Sequence, residues 1–324
     1  MNEKMRILIA YDGSACSKEA LRDLRRAALP LECEAVVVSV CNAVLPPDAL
    51  PAADVRSGPQ ARVIAREIKT IVEEARSRAL DAVSEAHQLV DEAVEHLRTD
   101  FPAWNVHGQA MVGDPSSALI KEALQWDIEL IIVGTHGRSA IGRLILRSVS
   151  HEIAVAAPCS VRVARSPAER RELPIRIMIG FDGSAGSQTV VKQVAHRRWP
   201  VGSEAFIVGV DEYLKPTKPE TQMNVRELIA TAEEDLRAVA GLHVSSKIAT
   251  GDWERVLIAE AKGFDADCIF VSSSNSMNDH DTGQPGMVSA TLLNGAPCSV
   301  EVVRDGRRDG VHFESSQLTG ANAC

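Results

Sequence analysis

No apolar run in this 324-residue chain reaches the 18 to 20 residues that a bilayer-crossing helix needs, which excludes a membrane span of that kind. A sustained stretch of lysine or arginine is also missing. With 35 basic against 44 acidic side chains and a formal net charge of -9, the chain has no basic face to neutralise phosphates, and nucleic acid is not an expected partner. The opening MNEKMRILIAYDG has too short an apolar region for a signal peptide and no small-residue cleavage site, so a cytoplasmic location is expected. The seven cysteines (Cys16, Cys33, Cys41, Cys159, Cys268, Cys298, Cys324) are odd in number and lack metal-ligand spacing, which fits reduced thiols. The phosphate loop GxxxxGK[ST], the dinucleotide GxGxxG, HExxH and Cys-x-x-Cys are all absent. The nine histidines are scattered, and His136 alone falls in a loop where a ligand could meet it. With no positioned base or nucleophile, the chain is not expected to be an enzyme.

What is present is a repeat. MRILIAYDGSACS (Met5 to Ser17) returns as IRIMIGFDGSAGS (Ile175 to Ser187), and APCSVRVAR (Ala157 to Arg165) returns as APCSVEVVR (Ala296 to Arg304). Between them VGDP (Val112 to Pro115) matches TGDW (Thr250 to Trp253), and LIIVG (Leu130 to Gly134) matches CIFVS (Cys268 to Ser272). Two copies of one domain follow, residues 1–165 and 175–304. A charged, proline-bearing linker over 166–174 joins them, and a polar tail over 305–324 is expected to be disordered. Each copy closes on a short apolar strand, and unpaired edges invite association. The closing strands are therefore expected side by side, making the two halves an internal pseudo-dimer, with pairing of whole chains into a homodimer left open.

Short, mostly apolar segments at Arg6 to Ala10, Ala35 to Val40, Val106 to Val112, Leu130 to Val133 and Ser160 to Ala164 read as buried parallel strands. Helical patterns lie between, near Ser17 to Ala28, Gln60 to Thr99, Ser116 to Gln125 and Ile141 to Ala156. This alternation predicts an α/β fold of two tandem doubly wound domains, each with a five-stranded parallel sheet. Val44 to Pro59, with four prolines, is expected to be an irregular cover or connector. The Gln60 to Thr99 pattern would measure about 60 Å as one helix, too long for the domain, so a break or a projection is expected. Its apolar stripe from Ile64 through Ile68, Ile71 and Ala79 to Leu97 reads as core-facing, with a partner-binding helix as the alternative.

The stretch IIVGTHGRSAIGRLILRSVS (Ile131 to Ser150) joins a strand, a glycine loop and a helix, an arrangement that lets backbone N–H groups point at an anion. In doubly wound sheets the ligand crevice lies beyond the carboxyl ends of the strands, where Asp12, Gly113 and Gly134 fall. Taken together, the Asp-Gly-Ser after the first strand, the Gly-Asp-Pro, the VGTHGRS loop and the APCSV strand resemble the universal stress protein family in its tandem form. That fold is also described as adenine nucleotide alpha hydrolase-like. The resemblance covers nearly the whole chain. It implies a stress-response protein, and it implies ATP, with Mg2+ as companion ion, as the ligand of those members that bind one. Carried over residue by residue, Ala10 and Asp12 would lie by the adenosine, Val40 would face the adenine, and Gly113 would allow close approach. Gly134 and Gly137 would hold the phosphates with Arg138 nearby, and Ser148, Val149 and Ser150 would contact phosphate. Arg147 stands where the family signature has glycine, and its side chain would either reach the phosphates or obstruct them. In the second half Ser272 and Asn275 replace the two glycines and Asp279 and Asp281 add negative charge, so that copy is expected to be structural. Asp182, like Asp12, has a second reading, as a carboxylate that orders the turn after the strand. A nucleotide-independent scaffold is the alternative for the chain as a whole.

Overall fold

The computed structural model describes residues 4–43, 59–135, 148–165, 174–210, 225–273 and 287–304. In the first half β1 (Met5–Ala10), α1 (Ala15–Asp23), β2 (Cys33–Cys41), α2 (Pro59–Asp100), β3 (Asn105–Val112), α3 (Pro115–Gln125), β4 (Leu130–Gly134), α4 (Val149–Ala156) and β5 (Ser160–Ala164) follow one another. The second half repeats them as β6 (Arg176–Phe181), α5 (Ala185–Ala195), β7 (Ser203–Val210), α6 (Val225–Arg237), β8 (Leu242–Ala249), α7 (Trp253–Phe264), β9 (Cys268–Ser272), α8 (Met287–Gly295) and β10 (Ser299–Val303). Every strand expected in the first half is present, with ends moved by at most two residues. The linker apart from Pro174, the tail, the proline-rich segment through Gly58 and the residues from His136 to Arg147 lie outside the described residues.

All ten strands form one sheet in the order β3-β2-β1-β4-β5-β10-β9-β6-β7-β8. Within each half the pairing is parallel, and the halves meet where β10 runs antiparallel to β5, with Val300 opposite Val163, Glu301 opposite Arg162 and Val302 opposite Val161. The inner strands bury both faces, which is why they read as apolar runs, whereas the edge strands β3 and β8 do not. In β3 only Val106 is buried, which corrects the expectation of a buried strand over Val106 to Val112, because an edge strand has a neighbour on one side alone. One face carries a single core across both halves, from Leu119 and Ile153 under α3 and α4 to Leu257 and Leu292 under α7 and α8. The opposite face holds two separate cores, one under α1 and α2 and one under α5 and α6.

Between those two cores sits a buried charge cluster. Arg162 of β5, with no exposed surface, donates to Asp23 at 2.6 Å and to Glu301 at 3.0 Å. Arg197 pairs with the same Glu301 and also donates to the Ala27 carbonyl at 2.9 Å. Burial works against the charge on Arg162, but Asp23, Cys268 and Glu301 around it outweigh that penalty and hold its pKa above the ordinary arginine value.

α2 is continuous over 42 residues, so of the two outcomes expected, break or projection, the chain takes projection. It starts at Pro59, one residue before the pattern predicted, because proline's fixed φ suits the first helical position. The expected core stripe is corrected in its first half. Ala79, Ala86, Val90, Val94 and Leu97 are buried, whereas Ile68 and Ile71 are 44% and 65% exposed. The eight-residue β3 reaches about 26 Å, which matches the roughly 27 Å of helix between Ala79 and Leu97 and leaves the preceding turns uncovered.

Cys159 and Cys298 occupy matching positions before the closing strands and both are buried. Burial pushes the thiols of Cys159 and Cys268 up to about 12. An unfolded thiol ionises near about 8.5, so above that pH the unfolded chain releases protons that the folded chain keeps, and stability falls as pH rises. The expected slope is about 1.4 kcal/mol per pH unit for each such thiol. Thermal unfolding across that alkaline range checks it: Cys159→Ala should flatten the decline by one thiol's share, and an unchanged slope would contradict the assignment.

Candidate functional site

The strand order reverses between β1 and β4, and the carboxyl ends of β1, β2, β3 and β4 carry the residues singled out above. At the end of β1 the chain turns tightly. Asp12 Oδ1 accepts the Ser14 N–H at 3.0 Å, Gly13 adopts φ +73°, and Ser14 Oγ caps α1 by accepting the Ser17 N–H at 3.2 Å. The second half repeats each part: Asp182 accepts the Ser184 N–H at 2.9 Å, Gly183 has φ +79°, and Ser184 caps α5. A turn-ordering carboxylate is thus present in both copies, which explains why Asp182 persists where the later glycines do not.

After β3, Gly113 donates its N–H to the Cys41 carbonyl at 3.0 Å and takes φ +142°, a conformation that side-chain-bearing residues rarely adopt. A Cβ there would meet no atom within 4 Å, so the backbone faces open space beside half-buried Val40. Asp114 then caps α3, and hydrogen bonds from Ser117 hold its carboxyl below the usual carboxylate range. Gly134 at the end of β4 has a different reason for being glycine. A Cβ on it would lie 2.6 Å from both the carbonyl carbon and oxygen of Cys16 and 2.9 Å from the Ser17 nitrogen, so the first turn of α1 occupies that side of the strand.

The β4 exit is tied to α4. Ser150 Oγ donates to the Thr135 carbonyl at 2.9 Å and lies 3.1 Å from Ser148 Oγ, which caps α4 by accepting the His151 N–H at 3.2 Å. Ser116 of α3 donates to Glu152 of α4 at 2.6 Å, fixing the two helices beside each other. The N-termini of α1, α3 and α4 therefore all open at the carboxyl edge of the sheet, where their partial positive charge favours an anion. Ala10, Asp12, Val40, Gly113, Gly134, Ser148, Val149 and Ser150 are brought to this edge. Gly137, Arg138 and Arg147 lie outside the described residues.

The second copy differs at a residue that reading the motifs passed over. Trp253 stands where the first half has Pro115, and its buried indole reaches over β6 so that a Cβ on Gly180 would be 3.3 Å from its Cζ2. Gly180 corresponds to Ala10, so the indole leans over the position that Ala10 occupies in the first half. The signal was in the text as TGDW against VGDP. Ser272 ends β9 where Gly134 ends β4, and Asn275, Asp279 and Asp281 are outside the described residues. Among the described residues no group of three or more His, Cys, Asp or Glu side chains is placed to hold a metal ion, and no helix is long and apolar enough to cross a membrane.

A model of the Universal stress protein family matches residues 4–165 and 175–304. A universal stress protein of Methanothermobacter thermautotrophicus is 35% identical over 54 residues, 17% of this chain and 36% of that protein. The Universal stress protein A homolog 2 of Coxiella burnetii is 32% identical over 80 residues, 24% of this chain and 54% of that protein. The aligned stretches thus span between about a third and about half of these curated relatives. Among solved structures, a universal stress protein from Archaeoglobus fulgidus superposes with a TM-score of 0.57 at 18% identity, covering 92% of this chain and 96% of that one. A putative universal stress protein from Pseudomonas aeruginosa gives 0.51 at 12% identity, covering 93% of each.

Proposed function

The chain belongs to the universal stress protein family, with two copies of its domain in tandem, and on that premise we propose that the first half binds one adenine nucleotide while the second is its structural partner. In this reading the protein is a cytoplasmic stress-response regulator that responds to ATP, with Mg2+ as companion ion, through shape or partners and does not turn it over. The observation that carries the proposal is the convergence at the β1/β4 crossing point. An open, positive-φ backbone at Gly113 and three helix N-termini face the same edge, and in the second half, where Gly251 keeps the positive φ, Trp253 leans over Gly180, the counterpart of Ala10. Ser150, which donates to the Thr135 carbonyl, and Ser148 beside it bring hydroxyls to that edge.

Calorimetric titration with ATP should give at most one site per chain. Gly137→Val should abolish binding, because a Cβ would stand where phosphate oxygens need room, and changes at Ser272 or Asn275 should leave it intact. Arg147→Gly should weaken binding by about 1 to 3 kcal/mol if the guanidinium contacts phosphate, and strengthen it if the side chain blocks the site. Two equivalent sites, or tight binding that survives Gly137→Val, would overturn this placement. A nucleotide-independent scaffold is the second reading. It is favoured by the structural work already done by Asp12 on the Ser14 N–H and by Gly134 against Cys16. Mass spectrometry of the denatured, freshly purified protein separates the two through the presence or absence of released nucleotide.

A further inference from the structure

The nine-residue closing repeats APCSVRVAR and APCSVEVVR differ at two positions, and one of them reverses a charge: Arg162 in the first half is Glu301 in the second. These equivalent residues are also the ones placed directly opposite each other where β5 meets β10. Both are fully buried and joined at 3.0 Å. The polar flanks of the two strands are matched instead: Ser160 accepts the Arg304 N–H and Ser299 accepts the Arg165 N–H, each at 3.1 Å. In an equivalent pairing of two first halves Arg162 would face another Arg162, and in a pairing of two second halves Glu301 would face another Glu301. Like charges directly opposite on neighbouring strands repel, most strongly away from water. The flanking groups extend the asymmetry, since Asp23 sits on Arg162 and Arg197 on Glu301.

We infer that the Arg162–Glu301 pair is a sorting element: the β5 edge accepts the unlike half alone, and like halves are shut out, within one chain or between copies. The valines around the pair would fit either partner, since Val161 and Val163 in one strand match Val300 and Val302 in the other. The charge therefore decides which half docks.

The test uses full chains. Arg162→Glu leaves an intact second half and Glu301→Arg an intact first half, while each places like charges across its own centre. Each variant alone should lose the closed form of the native chain, seen as a larger hydrodynamic radius and a lower thermal midpoint. The two unfolded together and co-refolded in equal amounts should give a 1:1 heterodimer by light scattering, joined through Arg162 of one chain and Glu301 of the other. Wild-type size and midpoint in either single variant, self-association of either through like halves, or no heterodimer from two folded variants would overturn the inference. Should a single variant not fold, the double variant Arg162→Met with Glu301→Met decides. Refolded at concentrations approaching the effective concentration of tethered halves, on the order of millimolar, it should yield chains linked through like halves, where the native protein yields one species. One species from both would overturn sorting by charge.

Discussion

Gly134→Val is expected to lower the stability of the ligand-free protein by about 3 kcal/mol, near the upper end of the cost of overpacking a core. The added carbon would fall 2.6 Å from the carbonyl carbon and oxygen of Cys16, and these are main-chain atoms of the first turn of α1 that cannot rotate aside as a side chain would. Relieving the contact means moving α1 away from β4, and that opens the core formed by Ala20, Leu21, Leu24 and Ile132. Urea unfolding without nucleotide measures the effect. An unchanged midpoint would refute the steric account and leave ligand approach as the reason for this glycine. Gly137→Val should act in the other direction, on binding, so the two glycines of one loop separate by experiment into one that seats a helix and one that admits a ligand.

Arg162→Met should cost about 3 to 5 kcal/mol, the range for breaking a buried ion pair from one side. Asp23 and Glu301 are both fully buried, and the substitution removes a 2.6 Å contact from one and a 3.0 Å contact from the other. Asp23 then keeps Arg26 at 3.5 Å, and Glu301 keeps Arg197. A surface pair provides the control. Arg25 meets Asp100 at 2.6 Å with its own side chain 65% exposed, so Arg25→Met should cost no more than about 1 kcal/mol despite equal ideality of distance. Equal losses for the two variants in denaturant unfolding would show that the centre of the sheet draws nothing from its charges.

The inner strands of this fold were legible because parallel strands buried on both faces must be apolar throughout, as Leu130 to Val133 are. The meeting of β5 and β10 was legible as well, from two copies each ending on an unprotected edge. The exposure of Ile68 and Ile71 was not, because periodicity along a helix reports which residues share a side and carries no information on how far the opposing sheet extends. The role of Gly134 was hidden for a similar reason. Its neighbour is the backbone of Cys16, more than a hundred residues away, and a glycine needed for helix packing looks the same in a sequence as one needed for phosphate. The Arg162 to Glu301 change was printed in the repeat itself. It became meaningful once the register placed the two residues opposite each other.

The antiparallel seam also sets a timetable. Each half can complete its parallel pairings from its own residues, but Arg162 is separated from Glu301 by 139 positions. At roughly 5 to 20 residues per second of synthesis, β5 waits on the order of 10 to 30 s for its neighbour while the second half is being made. Throughout that interval the newborn first half presents Val161 and Val163 on an open edge, the kind that captures passing strands. A charged side chain between two valines is the kind of feature that discourages apolar strands from adding to such an edge, and Arg162 meets its cross-strand carboxylate only when β10 arrives with Glu301 in register.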